Sequence, residues 1–168
     1  TQANYFDETT RIIRHLTTVA TCRVAVMYQD DAFGKSMLPM VQKAAADAGA
    51  TLLLAQPMDA SGKNAAEAVQ AVGEAKPQSV VLLVAGPGVV PAIRALRRSV
   101  SAPIYTYSLA ISAAAVEALG ADAVGLAVVR FHALPVVRVA DAGQGVQRRG
   151  QPAEAADRLR PLPGLQQR

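Results

Sequence analysis

Tryptophan is absent from this chain of 168 residues, cysteine occurs once, and aromatic residues make up only 4%. A single thiol, Cys22, cannot form a disulfide within the chain, so no covalent staple supports the fold. Cys22 stands beside Arg23 at the head of an apolar run, the place of a half-buried small residue. Neither His15 nor His132 lies in a motif that would supply a nucleophile's base. No apolar run approaches the roughly 20 residues that cross a bilayer, and Thr1 is not followed by the basic and apolar regions of a leader peptide. Because the chain does not start with methionine, that second absence says nothing about export.

An excess of one charge is also missing where a nucleic-acid partner would need it. The formal net charge is +4, yet residues 1–129 carry ten Lys+Arg against ten Asp+Glu. The excess lies in seven arginines from Arg130 onward, opposed by Asp141, Glu154 and Asp157. The first 129 residues therefore present no phosphate-binding face, and no nucleic-acid partner is expected. Arg94, Arg97 and Arg98 at helical spacing read as a solvated helix face.

What the chain has is an apolar share of 51%, arranged as alternating strands and helices. Acidic Asp7-Glu8 ahead of Ile12, Ile13, Leu16 and Val19 predicts a helix from about Asp7 to Thr18. The run Val24-Ala25-Val26-Met27 predicts a strand covered on both faces, over Arg23 to Tyr28. A helix over Gly34 to Ala48 ends at Gly49, and a strand over Thr51 to Gln56 follows. Asn64 is placed as N-cap of a helix reaching about Ala75. The spacing then gives a strand over Ser79 to Val84, a break at Gly86-Pro87-Gly88, a helix over Val89 to Ser99 and a strand over Ile104 to Tyr107. A helix over Ser112 to Leu119 and a strand over Val124 to Val129 complete the series. Such alternation demands right-handed crossovers and an α/β fold, a doubly wound parallel sheet flanked by helices. The strand order expected is 2-1-3-4-5, with ligand contacts at the crevice beyond the first and third strand ends.

The words Val-Met-Tyr-Gln-Asp-Asp-Ala-Phe-Gly-Lys at residues 26–35, Tyr5-Phe6-Asp7-Glu8-Thr9 upstream and Gly125-Leu126-Ala127-Val128 downstream carry a resemblance. The chain resembles, from about Tyr5 to about Val129, the periplasmic (type I) solute-binding proteins of branched-chain amino acid ABC transporters, the Leu/Ile/Val-binding-like group. That family has two α/β lobes with ligand between them, so the resemblance implies that this chain is the second lobe and that a first lobe is missing. It further implies a periplasmic, non-enzymatic role without cofactor, in which a small organic solute is captured by lobe closure and passed to membrane permease subunits. Residues 1–129 would form the lobe.

On this resemblance the cleft wall comes from the loops after strands one, three and four, and the ligand-binding candidates are Tyr28, Asp31, Phe33, Gly86 and Ser108. Phe33 would set its ring against the solute, or else staple the turn onto the sheet. Asp30 and Asp31 precede a helix, where carboxylates cap free N–H groups; they lack the partner base or second acid that catalysis would require. Ser108 offers a hydroxyl, whereas Leu109 stands roughly where amino-acid binders of this family place an acid for the ammonium group. An aliphatic or aromatic acid is therefore as good a solute as a branched-chain amino acid. Gly86-Pro87-Gly88 lacks the third glycine of a dinucleotide fingerprint. A flavodoxin-like enzyme domain binding a phosphate-bearing cofactor, and the ligand-sensing domain of a regulator, are the competing readings.

Residues 130–168 break the pattern: they hold no lysine, many Arg, Pro and Gly, and no clean period. Two readings stay open, an irregular Arg-rich extension and a frame-shifted read of a GC-rich gene. The family's Pro-Trp loop and Val-x-Glu-Tyr word do not occur there, although Gly143 to Gln147 can be encoded so that a one-base shift restores a close match.

Overall fold

A computed structural model describes residues 5–129 and the backbone of Val137–Arg138. The helices are α1 (Tyr5–Thr18), α2 (Ala32–Ala48), α3 (Ala65–Glu74), α4 (Val89–Ser99) and α5 (Ala113–Leu119). The strands are β1 (Arg23–Gln29), β2 (Thr51–Met58), β3 (Ser79–Leu83), β4 (Ile104–Tyr107), β5 (Leu126–Val129) and β6 (Val137–Arg138). They form one sheet of order β2-β1-β3-β4-β5-β6, in which the first five strands are parallel and β6 pairs antiparallel with β5. The expected doubly wound topology is present. The pairing of Val137–Arg138 was not legible in the sequence; the rest of the tail, with its frame-shift reading, lies outside the described residues.

Alternation along each strand divides the core into two layers. Val24, Val26, Val81, Leu83, Tyr105, Tyr107 and Ala127 face α1 and α2. Ala25, Met27, Val80, Leu82, Ile104 and Leu126 face α3, α4 and α5. With helices on both faces, β3 is buried at all five positions, which is why its sequence, Ser-Val-Val-Leu-Leu, hardly alternates. Helix α4 buries Val89, Ala92, Ile93 and Leu96, a stripe at i, i+3, i+4 and i+7.

Several boundaries move for identifiable reasons. Strand β2 runs on to Met58, two residues past the expected end, and tolerates Pro57 because it is the edge of the sheet. Strand β5 begins at Leu126 rather than Val124, since Gly120–Ala123 forms a 3-10 turn and Gly125 takes a positive φ of 75°. Asn64 occupies the cap position of α3, but its side chain makes no cap bond; its Oδ1 accepts from the Asp59 N–H at 2.7 Å and closes the loop after β2. His15, expected on the exposed side of α1, is half-buried beside Tyr105 with ring centroids 5.8 Å apart, and its Nε2 is buried. Arg97 likewise leaves the expected solvated face. It is half-buried, and its Nη1 donates to the Ala102 carbonyl at 3.3 Å.

The β1–α2 junction is the tightest crossing. Asp31 caps α2: its Oδ1 accepts from the Gly34 N–H at 3.0 Å. Two residues into α2, a Cβ at Gly34 would stand 1.9 Å from the Gln29 carbonyl oxygen, so the helix can start here only on a glycine. The bond from Gly34 holds the Asp31 carboxyl below the usual carboxylate range, partial desolvation opposes this, and Gln29 adds to the lowering.

Replacing Gly34→Ala should destabilise the chain by about 3 kcal/mol or more in urea unfolding. Gly73→Ala, where the nearest neighbour of the added carbon is Ser99 O at 3.6 Å, should stabilise α3 by about 0.5 to 1 kcal/mol in the same assay. For Asp31 the folded pKa is depressed, so its contribution is present above the unfolded carboxyl value and lost as pH falls through the folded one. Asp31→Ala should therefore cost about 1 kcal/mol at pH 7. The gap between variant and parent should close as the pH falls below about 3.9, in unfolding curves taken across that range.

Candidate functional site

The carboxyl ends of β1, β3 and β4 meet at one edge of the sheet. From β1 the chain crosses to β2 by way of α2 on one face; from β3 it crosses to β4 by way of α4 on the other. The loops after β1 and β3 thus diverge and leave a crevice between them. Tyr28 pairs in register with Leu83, which places both loops at the same height on that edge.

Gln29, the last residue of β1 and only 9% exposed, spans the divergence. Its Oε1 accepts from the Ala85 N–H at 3.1 Å, and its Nε2 donates to Asp31 Oδ2. One carboxamide therefore fixes the third-strand loop against the first-strand loop and orients the helix-capping carboxylate. The sequence reading counted Gln29 within the loop after the first strand but gave it no role of its own. Its signal was position: it continues the every-second-residue series Ala25, Met27 of a strand buried on both faces.

The loop after β4 is fastened to the first turn of α1. Glu8 is 1% exposed, and its two carboxylate oxygens accept from the Ser108 hydroxyl at 2.6 Å and the Ser108 N–H at 3.3 Å. Beside it, the Thr9 hydroxyl donates to the Tyr5 carbonyl at 2.7 Å, so in its 2.9 Å contact with Tyr107 the phenol is the donor. Burial pushes the Tyr107 phenol well above its ordinary pKa; the bond to Thr9 lowers it less, and Glu8 adds to the rise. Glu8 was read only as a first-turn acid. The missed signal is that it precedes Ile12 by four residues and so lies on the same inward stripe.

Of the five candidates, Tyr28 and Phe33 are half-buried against the α1 and α2 layer. Phe33 meets Tyr5 edge-on at 5.6 Å, and Tyr5 meets Tyr107 in the same manner at 5.9 Å, so the ring staples the turn to α1. Asp31 is engaged as the cap of α2, and Ser108 is bound to Glu8. Gly86 is exposed, has φ of 69°, and has nothing within 4 Å of where a Cβ would be. The glycine that allows a close approach is Gly88, where a Cβ would lie 2.5 Å from the Ala60 carbonyl oxygen of the loop after β2. Asp30 pairs with Lys35 at 2.8 Å, both exposed. Leu109 projects from the β4 loop with 66% of its surface exposed.

Elsewhere, a groove of about 390 Å³ between α1 and α2, lined by Phe6, Thr10, Arg14 and Asp47 among others, contains none of the five candidates. Among the described residues no group of three His, Cys, Asp or Glu is placed to hold a metal ion, and no helix is long and apolar enough to cross a membrane.

No curated protein matches the chain. Solved structures share its fold. An extracellular ligand-binding receptor from Verminephrobacter eiseniae superposes with a TM-score of 0.69 at 26% identity, over 76% of this chain and 37% of that one. A Rhodospirillum rubrum protein described as a branched-chain amino acid ABC transporter gives 0.68 at 20% identity, over 76% and 37%. An ABC transporter solute-binding protein from R. palustris, solved in complex with benzoate, gives 0.65 at 13% identity, over 74% and 34%. This chain spans about a third of the length of each. The profile of one family, described as periplasmic binding protein, matches residues 1–145 and so continues past Val129, where the sequence resemblance was drawn to a close. With that match over most of its length, the chain belongs to the periplasmic binding protein family.

Proposed function

We propose that residues 5–129 form one wall of a two-walled cleft, and that the whole protein is the periplasmic solute-binding component of an ABC importer. It captures a small organic solute, a branched-chain amino acid or a related carboxylate, by closure of the first lobe over this one, and delivers it to membrane permease subunits. The observation that supports this reading is the divergence of the loops after β1 and β3 at the carboxyl edge of the sheet, where Tyr28, Asp31, Phe33, Gly86 and, after β4, Ser108 are our candidates for the cleft lining. Gly86 leaves the backbone open to approach, and Leu109 offers apolar surface to a solute or to the opposing lobe.

The role is binding rather than catalysis. Asp30 is tied to Lys35 and Asp31 to Gly34 and Gln29, so neither carboxylate of the turn is poised as a base. The geometry also weighs against the phosphate-cofactor reading. A phosphate at the α2 N-terminus would accept the N–H groups that the Asp31 carboxylate already accepts, and would face that negative charge. No cofactor is required by the proposed role, and a regulator's sensing domain has no specific feature here in its favour.

With one wall only, solute surface stays half exposed and the affinity falls accordingly. Isothermal titration of this chain against amino acids and small carboxylates should yield dissociation constants of about 1 mM or weaker, and the protein joined to its companion lobe should bind one of them far more tightly. Submicromolar binding by the isolated chain would overturn the two-walled reading.

A further inference from the structure

Three hydrogen bonds run in series from the loop after β3 to the first turn of α2. The Ala85 N–H donates to Gln29 Oε1 at 3.1 Å, Gln29 Nε2 donates to Asp31 Oδ2, and Asp31 Oδ1 accepts from the Gly34 N–H at 3.0 Å. A carboxamide is planar, with its acceptor and its donors on opposite arms, so Gln29 cannot follow Ala85 without turning the bond it gives to Asp31. Only 9% of Gln29 is exposed, and in such a setting each bond polarises the group that makes the next. There is no slack at the far end either, because Gly34 lies so close to the Gln29 carbonyl that no Cβ fits between them.

A second feature limits how far this connection reaches. Pro39 stands inside α2 and brings no N–H, so the rung that would reach back to the Lys35 carbonyl is missing from the helix ladder. Ahead of that gap, residues 32–38 are held at the carboxyl edge of the sheet by the Asp31 cap, by the 2.8 Å pair of Lys35 with Asp30 and by the Phe33 ring on Tyr5. The first two turns of α2 share their anchors with the crevice, and the ladder is interrupted where they join the rest of the helix.

We infer that Gln29 is a positioning residue through which the crevice and the first two turns of α2 sense each other: a solute that settles the loop after β3 firms the cap of α2, and a firm cap in turn favours the solute. The inference rests on the cleft reading above and adds regulation to it. Lys35 and Ser36, both exposed on that segment, would present a surface whose order depends on whether the cleft is filled.

The test is NMR of the labelled chain, by amide hydrogen exchange and by titration to tens of millimolar with L-leucine and with 4-methylpentanoate. Two variants cut the series. Gln29→Met keeps the volume and loses both bonds, whereas Asp31→Asn keeps a capping oxygen for Gly34 and sets an amide donor where Gln29 needs an acceptor. In each, exchange at residues 34–38 should quicken about threefold to tenfold while residues 41–48 change by less than about twofold. In the parent chain, a probe that shifts the Ala85 amide should shift Gly34 with the same midpoint; in the variants Ala85 should still respond and Gly34 should not. Should circular dichroism show that Gln29→Met fails to fold, Asp31→Asn decides alone. If Gly34 still follows Ala85 in a folded variant, or does not follow it in the parent, or if exchange at residues 34–38 is unchanged, the coupling falls and the cleft reading survives. If neither probe moves Ala85, the cleft reading itself fails and takes the coupling with it.

Discussion

The carboxamide of Gln29 joins the two loops that part company at the switch point of the sheet. A doubly wound sheet sends successive crossovers to opposite faces, and at the change of direction two neighbouring strands deliver their loops to opposite sides. Nothing in the backbone ladder joins those loops. Gln29 does so with a donor and an acceptor on one planar group, binding Ala85 on one side and Asp31 on the other. Asp31 in turn caps α2, and α2 can start only because Gly34 lets the helix lie against the Gln29 carbonyl. Strand end, helix start and neighbouring loop are thus one connected unit, and the crevice is as rigid as that unit.

The β4 loop is built on the same logic from a different direction. Here α1, the element that precedes the sheet in sequence, reaches across its edge with Glu8 and Thr9 to fix Ser108 and Tyr107. Tyr5 extends the contact to Phe33, so the rings of Tyr107, Tyr5 and Phe33 tie the β4 loop to the β1 loop. Buried polar groups are costly unless satisfied, and both strands of this network satisfy theirs internally. The loop after β4 is thereby held by bonds that the lobe makes to itself.

Most of the fold was legible because its signals are local and redundant. Ile12, Ile13 and Leu16, or Val89, Ala92, Ile93 and Leu96, mark inward stripes without any knowledge of partners. The parallel sheet follows from alternation, and its order from the usual switch. Less could be read of the site. Asp31 as a cap was legible, because a carboxylate ahead of a helix has few other uses. Glu8, Gln29 and Arg97 were not, because a polar residue's burial depends on what arrives from far along the chain: Ser108 is 100 residues from Glu8, and Ala85 is 56 from Gln29. Sequence shows the polar group but not the partner that makes burying it tolerable. Asn64 errs the other way, since a residue favoured as a cap turned to Asp59 instead.

Strand β2 ends the sheet, and among the described residues its outer edge pairs with no other strand. Thr51 to Ala55 carry three consecutive leucines along that margin, most of them half-covered by the flanking helices. Such a margin is a template on which a strand from another molecule can be laid down, and Pro57, which has no N–H, blocks only its far end. The side chains there guide the fold inward, while the outward N–H and C=O groups leave a row of hydrogen-bonding positions that the described residues do not fill with a strand.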